Sequence, residues 1–259
     1  MHAMDLTAYV ANSHAAPDDT ALWDNLKSFL LSYGFDSSIF CLMSDHPSIG
    51  EKAKHGLIDG YPDDWMKHYI ANNYEADDGI RRQSQVQRQN IFTWEGAEKL
   101  TPYNKKERSI LNQAGDAGLK DGVVVSLCNV HHEHVCMGFA SSAGGIEFTP
   151  TMLSILKLAS IQFYDMHQTL HRKRTPYEPK PVKLSERETE VLQWAAIGKS
   201  SGDIATILGI SDRTVNYFMQ RCFYKLDATS KTLAVVKALR LGLIALDSNL
   251  FVHTQKEHY

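Results

Sequence analysis

A chain of 259 residues is long enough for two domains of ordinary size, each with its own core. The net charge of -3 hides an asymmetry: from His171 onward fourteen Lys and Arg stand against nine Asp and Glu, a balance of +5, which leaves -8 for the part before it, the footprint expected when one half meets phosphate and the other does not. Cys41, Cys128, Cys136 and Cys222 form no Cys-x-x-Cys pair, no apolar run approaches eighteen residues, and the first residues lack a secretion signal. A disulfide framework, a zinc knuckle and a membrane span are thereby excluded, and a cytoplasmic protein is expected.

In chain order, Leu22, Trp23, Leu26, Phe29 and Leu30 recur at helical spacing and predict a helix over 20–33. Residues 38–43 are a short β-prone run, and 62–74 read as a second helix with Pro62 near its first turn. A helix is predicted over 107–119, then two strands, 122–130 and 134–140, joined across His131-His132-Glu133, then a long helix over 150–171. Helices before, between and after a few antiparallel strands predict an α/β/α sandwich that can hold a ligand between its sheet and the covering helices. The stretch from His171 to Lys183, with three prolines and a run of cations, is expected as an extended linker or a basic arm that also touches DNA.

Beyond it, Ser185-Glu186-Arg187-Glu188 is a capping box opening a helix that carries Val191, Leu192 and Ala195 on one side and ends at Gly198. A short helix with Ile204, Ala205 and Leu208 inward follows; Gly209 and Ile210 turn the chain, and Ser211 caps the next helix. Val215, Met219, Cys222 and Leu226 fall on the inner side of that helix, which leaves Thr214, Asn216, Tyr217, Gln220, Arg221, Tyr224 and Lys225 outward. Donors, acceptors and two cations on one exposed helix suit a major-groove reader. The last predicted helix, Thr232 to Leu246, is apolar apart from a few residues such as Lys237 and Arg240, more than one face of a monomer can bury, so a partner helix is expected.

The remaining cluster is aromatic. Tyr61-Pro62-Asp63-Asp64-Trp65 is followed by Tyr69, Tyr74, Asp78 and Trp94, and Trp65 and Tyr69 lie one helical turn apart on a shared face. Read alone, these rings suit a plain core or a ligand box, and Asp78 suits a helix cap, a turn carboxylate or a ligand acceptor. His131-His132-Glu133-His134 offers metal-ligand types, but adjacent side chains in a hairpin turn diverge, so no metal site is expected.

Both clusters carry a family resemblance. Leu184-Ser185-Glu186-Arg187-Glu188, Glu190-Val191-Leu192, Gly198-Lys199-Ser200, Asp203-Ile204-Ala205, Leu208-Gly209-Ile210-Ser211, Thr214-Val215, Lys225-Leu226 and Leu241-Gly242-Leu243-Ile244 closely resemble the DNA-binding domain of LuxR-type regulators. Tyr61, Pro62, Trp65, Tyr69, Asp78 and Trp94 are similar in order and spacing to the ligand box of that family's acyl-homoserine lactone receptors. The resemblance implies an α+β protein: an α/β/α ligand-binding domain over 1–170, a linker over 171–183 and an all-α helix-turn-helix domain over 184–259. It implies no enzyme activity and no cofactor, an acyl-homoserine lactone as ligand, and a homodimer on two-fold symmetric double-stranded DNA, with RNA polymerase as a further candidate partner. Trp65 would donate to the lactone carbonyl, Asp78 accept the ligand's amide N–H, Tyr61 donate to the amide carbonyl, Trp94 pack on the lactone ring and Tyr69 wall the acyl chain.

By the same resemblance Gly122 matches a glycine at the start of the hairpin, and the strand face carrying Cys136 and Gly138 borders the acyl chain, where small side chains would leave room. Lys199 joins Thr214, Asn216, Tyr217, Gln220, Arg221 and Lys225 as DNA contacts. The chain departs from the pattern at Gly79 and Ser126, where the family often has Pro, at Gly138, where some receptors place Ser or Thr, and at Asp203, Phe218 and Lys231 in the DNA-binding part. The alternatives are an orphan regulator sensing a different small molecule and a ligand-independent repressor. A phosphorylated receiver is disfavoured by the absence of regular α/β alternation in the first half, and a lactone-degrading enzyme by the lack of a paired nucleophile and base.

Overall fold

The computed structural model describes residues 5–88, 90–129, 132–174 and 182–245. The chain forms two compact units. The first opens with α1 (Leu6–Ala15) and α2 (Asp19–Ser32), which begins where the Asp18 carboxylate accepts the Ala21 N–H at 2.9 Å. Then come β1 (Ser37–Leu42), β2 (Lys54–Asp59), α3 (Asp63–Ala71), α4 (Gly79–Val86), β3 (Ile91–Thr93), α5 (Trp94–Leu100), α6 (Lys105–Asp116), the hairpin β4 (Asp121–Cys128) and β5 (His134–Ser141), and α7 (Pro150–Arg174). The five strands pair antiparallel in the order β2-β1-β5-β4-β3.

Because a strand sends successive side chains to opposite faces, the sheet separates two cores. Phe40 and Leu42 of β1 and Val135, Met137 and Phe139 of β5 pack on Leu22, Leu26, Phe29, Leu156 and Phe163 of α2 and α7, all fully buried. Ile39 and Cys41, paired across the ladder with Gly138 and Cys136, join the other layer with Trp65, Met66 and Tyr69 of α3, Trp94 of α5, and Ile110 and Ala114 of α6. This is the expected α/β/α sandwich. Elements α1, β2, α4, β3 and α5 went unforeseen; β3 and α5, of three and seven residues, are too short for periodicity to announce them.

One boundary needs correction. The last helix of this unit runs to Arg174 rather than stopping where the linker was expected to start. The basic stretch Arg172-Lys173-Arg174 therefore belongs to the helix and not to the linker. Residues 175–181 of the expected linker, together with Val130 and His131 of the hairpin turn, lie outside the described residues.

The second unit is α8 (Glu186–Ala196), α9 (Ser201–Leu208), α10 (Asp212–Leu226) and α11 (Lys231–Arg240) around Val191, Leu192, Ile204, Val215, Met219, Cys222, Leu226 and Ala234. Ser185 and Ser200 both form capping boxes, Gly209 ends α9 in the left-handed conformation, and Ser211 caps α10. Helix α11 is shorter than expected: it stops at Arg240, and Gly242 at φ +64° turns the chain. Leu246 lies outside the described residues.

One carboxylate ties this unit together. Glu188, 1% exposed, accepts from Ser185 N at 2.7 Å, Arg221 Nε at 2.9 Å and Lys225 Nζ at 2.6 Å. Burial alone would raise its pKa; the hydrogen bonds from Lys225, the Ser185 backbone and Arg221 outweigh that and hold it at about 2. The folded value lies below the ordinary 4.5, so this stabilisation is complete above pH 4.5 and is lost as pH falls through 2. We expect Glu188→Gln to cost the second unit about 1.5–3 kcal/mol at neutral pH in urea melts. The parent should then lose stability faster than Glu188→Gln between pH 4.5 and 2; parallel acid profiles would contradict this role.

Candidate functional site

Between the sheet and helices α3 to α6 lies a cavity with about 770 Å³ of atom-free space, its open mouth included. Tyr61, Trp65, Tyr69, Asp78, Trp94, Cys136 and Gly138, seven of the predicted ligand residues, line it. Three elements bring five of them there. The α3 stripe supplies Trp65 and Tyr69, whose rings meet edge to face at 5.9 Å; α4 is anchored at Asp78; and β5 turns Cys136 and Gly138 inward by its pleat.

Asp78 does two things at once. As N-cap of α4, its Oδ1 accepts from Ile80 N at 2.8 Å and Arg81 N at 3.2 Å, while Oδ2 accepts the Tyr69 hydroxyl at 2.9 Å. A carboxylate oxygen carries two lone pairs, so Oδ2 retains acceptor capacity toward the cavity. Burial, and then the Asp78 charge, push the Tyr69 phenol far above its usual range, so it remains a donor. Tyr69 therefore orients the carboxylate in addition to walling the cavity.

The glycines explain how closely this wall is packed. Gly122 does not line the cavity; a Cβ there would fall 2.2 Å from Trp94 Cε2, so it is the floor on which the indole lies. The expected glycine thus acts through Trp94. The buried Trp94 indole N–H has no hydrogen-bond partner among the described residues. At Gly79, where the family pattern often has Pro, a Cβ would fall 2.6 Å from the Tyr103 ring, so the glycine lets that ring pack against the start of α4. The room expected beside Gly138 is already taken: a Cβ there would lie 2.5 Å from the Tyr61 hydroxyl oxygen and 3.1 Å from Ile39 Cγ2. Ser126 bridges layers, donating to Ser84 O at 2.9 Å with His134 Nε2 2.7 Å away.

The cavity also contains groups that the sequence did not single out. His55 of β2 stacks on Tyr69 at 4.8 Å and lies 3.6 Å from the Cys41 thiol. Arg81 pairs with Glu75 and reaches His55 Nδ1 at 3.3 Å and Met43 Sδ at 3.2 Å. One wall is therefore polar as well as aromatic. An arginine two residues past a turn and a histidine in an unforeseen strand had no pattern that could announce them.

In the second unit α10 presents Asn216, Tyr217, Gln220, Arg221 and Tyr224 to solvent, with Thr214 and Lys225 half-buried. Thr214 joins the cap of α10 through Ser211, Asn216 Oδ1 accepts from Ser201 Oγ at 3.1 Å, and the Lys199 carbonyl accepts from Lys231 Nζ. Arg221 and Lys225 face outward at their stems, but their charged ends turn to Glu188, and Arg221 also donates to the Tyr217 hydroxyl at 3.1 Å. Tyr224, 90% exposed, stands more open on this face than Tyr217, and Gln220 is exposed beside them. Among the described residues no helix is long and apolar enough to cross a membrane.

Comparison with known proteins agrees with both halves. Residues 18–166 match the family model of the autoinducer binding domain, and residues 182–238 that of bacterial regulatory proteins of the luxR family. The quorum sensing-dependent regulator RpaR of Rhodopseudomonas palustris is 31% identical over 230 residues, covering 87% of this chain and 89% of the relative. The quorum-sensing regulator RhlR of Pseudomonas aeruginosa is 31% identical over 238 residues, covering 88% and 91%. The crystal structure of Escherichia coli SdiA superposes with a TM-score of 0.63 at 22% identity, over 93% of this chain and 98% of that one, a likeness of fold. With an autoinducer-binding unit followed by a LuxR-type helix-turn-helix on one polypeptide, the chain belongs to the LuxR family of quorum-sensing transcriptional regulators.

Proposed function

We propose that the cavity binds an N-acyl-homoserine lactone, and that the loaded protein, a regulator and not an enzyme, acts as a homodimer on two-fold symmetric DNA in the cytoplasm. The working boundaries are 1–174 for ligand binding and 184–259 for DNA, since α7 continues to Arg174. The observation that carries the proposal is the lining of the cavity: a carboxylate oxygen with acceptor capacity at Asp78 and, among the aromatic walls, the Trp94 indole, whose buried N–H has no partner among the described residues. A ligand with an amide N–H, carbonyl oxygens and an apolar tail satisfies both while filling the remaining space. In this reading Asp78 takes the amide N–H, Tyr61 and Trp65 hold the two carbonyls, and Trp94 covers the ring, its N–H available to a ring oxygen.

Ligand that binds only the folded unit stabilises it by mass action, which couples signal to the population of competent protein. Exposed Leu233, Val236 and Leu241 on and beside α11 give a homodimer an apolar surface to bury. Dimerisation then sets two α10 helices into successive major grooves.

Asp78→Asn keeps a good helix cap but loses the charge-assisted bond, so the concentration of lactone needed for half response in a reporter strain should rise tenfold to a hundredfold, on the order of 1.5–3 kcal/mol. The melting midpoint of the unliganded protein should move little; an unchanged dose response would remove Asp78 from the site.

On the DNA side, Gln220→Ala should weaken operator binding with no change in stability, whereas Arg221→Ala should lower both, because it also removes a partner of Glu188. Removing a side chain that reads a base edge should cost about 1–3 kcal/mol in gel-shift competition. If Gln220→Ala binds DNA like the parent, α10 does not read bases through this face.

A further inference from the structure

On the sheet face away from the cavity, α2 and α7 bring three metal-ligating side chains together. His167 and His171 are four residues apart on α7, so both imidazoles leave the helix on one side. Asp19, the first residue of α2, meets them there. His167 Nδ1 lies 2.9 Å from Asp19 Oδ1 and His171 Nε2 lies 3.2 Å from Asp19 Oδ2. One donor atom from each of the three residues lies within 4.8 Å of the others.

We propose that Asp19, His167 and His171 form a binding site for a divalent transition-metal ion, with zinc as the best fit to two imidazoles and a carboxylate. Zinc bonds to nitrogen and oxygen are about 2.0–2.2 Å, which sets the donors of a tetrahedral site roughly 3.3 Å apart, so donor atoms within 4.8 Å of one another need only small side-chain rotations to close on one ion. Two histidines four apart on a helix are also the spacing by which helical zinc sites hold their ion. The site has a dry side and a wet side. The His167 side chain is 2% exposed, whereas those of His171 and Asp19 are 20% and 23% exposed, so an ion can enter past the outer pair and keep water as its fourth ligand.

Binding would clip the N-terminus of α2 to the last turns of α7, elements 148 residues apart, and so stabilise the first unit. The same three residues without a metal make a hydrogen-bonded His-Asp-His cluster, which is the outcome the experiment must distinguish.

The test uses tag-free, full-length protein stripped with a chelator, then titrated with zinc against a chromophoric competitor and, separately, with cobalt. One zinc per chain, visible cobalt bands of a low-coordinate site and a melting midpoint that rises with zinc are expected. His171→Ala and Asp19→Asn should weaken zinc binding roughly tenfold or more and remove the zinc-dependent rise in melting midpoint. His171 is near the surface, and the amide introduced by Asp19→Asn would keep a hydrogen-bonding group, so both variants should retain the parent's circular dichroism. Paramagnetic broadening by cobalt in the unaltered protein gives an independent reading: it should centre on His167, His171 and Asp19. No stoichiometric zinc in the parent, unchanged affinity in both variants, or broadening centred elsewhere would each overturn the proposal.

Discussion

Along β5, Val135, Met137 and Phe139 point one way and Cys136, Gly138 and Ala140 the other, and the pleat of a strand allows no third arrangement. β1 repeats the division, with Phe40 and Leu42 on one face and Ile39 and Cys41 on the other. Phenylalanines and other large side chains therefore meet α2 and α7 in a filled layer, while the face toward α3 to α6 carries Ile39, Cys41, Val124, Cys136 and Gly138, beyond which the cavity lies. A register slip of one residue would exchange the two layers, burying Phe40 and Phe139 where the cavity stands. The hollow and its position follow from this alternation before any ligand chemistry is considered.

Within the hollow, Asp78 starts α4 with one oxygen and holds Tyr69 with the other, so the carboxylate we propose as the ligand's acceptor also fixes the start of the helix beside it. Gly122 and Gly79 are the counterpart among small residues: each yields its volume to an aromatic ring, Trp94 in one case and Tyr103 in the other. The cavity is thus shaped by where side chains are missing as much as by those present.

The helix-turn-helix was legible because its determinants are local. Ser185 with Glu188, Gly209 and Ser211 act on residues within one turn, and the structure uses each of them as a cap or a stop. Trp65 and Tyr69 were legible for the same reason, being one turn apart on a single helix. What escaped were relations across the chain. The pairing of Arg221 with Glu188 spans 33 residues, the meeting of His167 with Asp19 spans 148, and neither leaves a periodic trace in sequence. Short elements such as β3 and α5 escaped because three to seven residues cannot establish a period, and the end of α7 because its basic residues were read as the start of the linker.

The buried Glu188 bears on how this protein feels ionic strength. Binding to a polyanion draws much of its free energy from small cations set loose from phosphates, one for each protein charge that replaces them. In the DNA-binding role proposed for them, Arg221 and Lys225 would come to that exchange already matched by a carboxylate of their own unit. To engage a phosphate fully, each must share or surrender Glu188, trading one ion pair for another. The affinity of α10 for DNA should therefore depend on salt less steeply than the number of positive side chains along it suggests, and more of its discrimination should rest with the neutral groups Asn216, Tyr217 and Gln220.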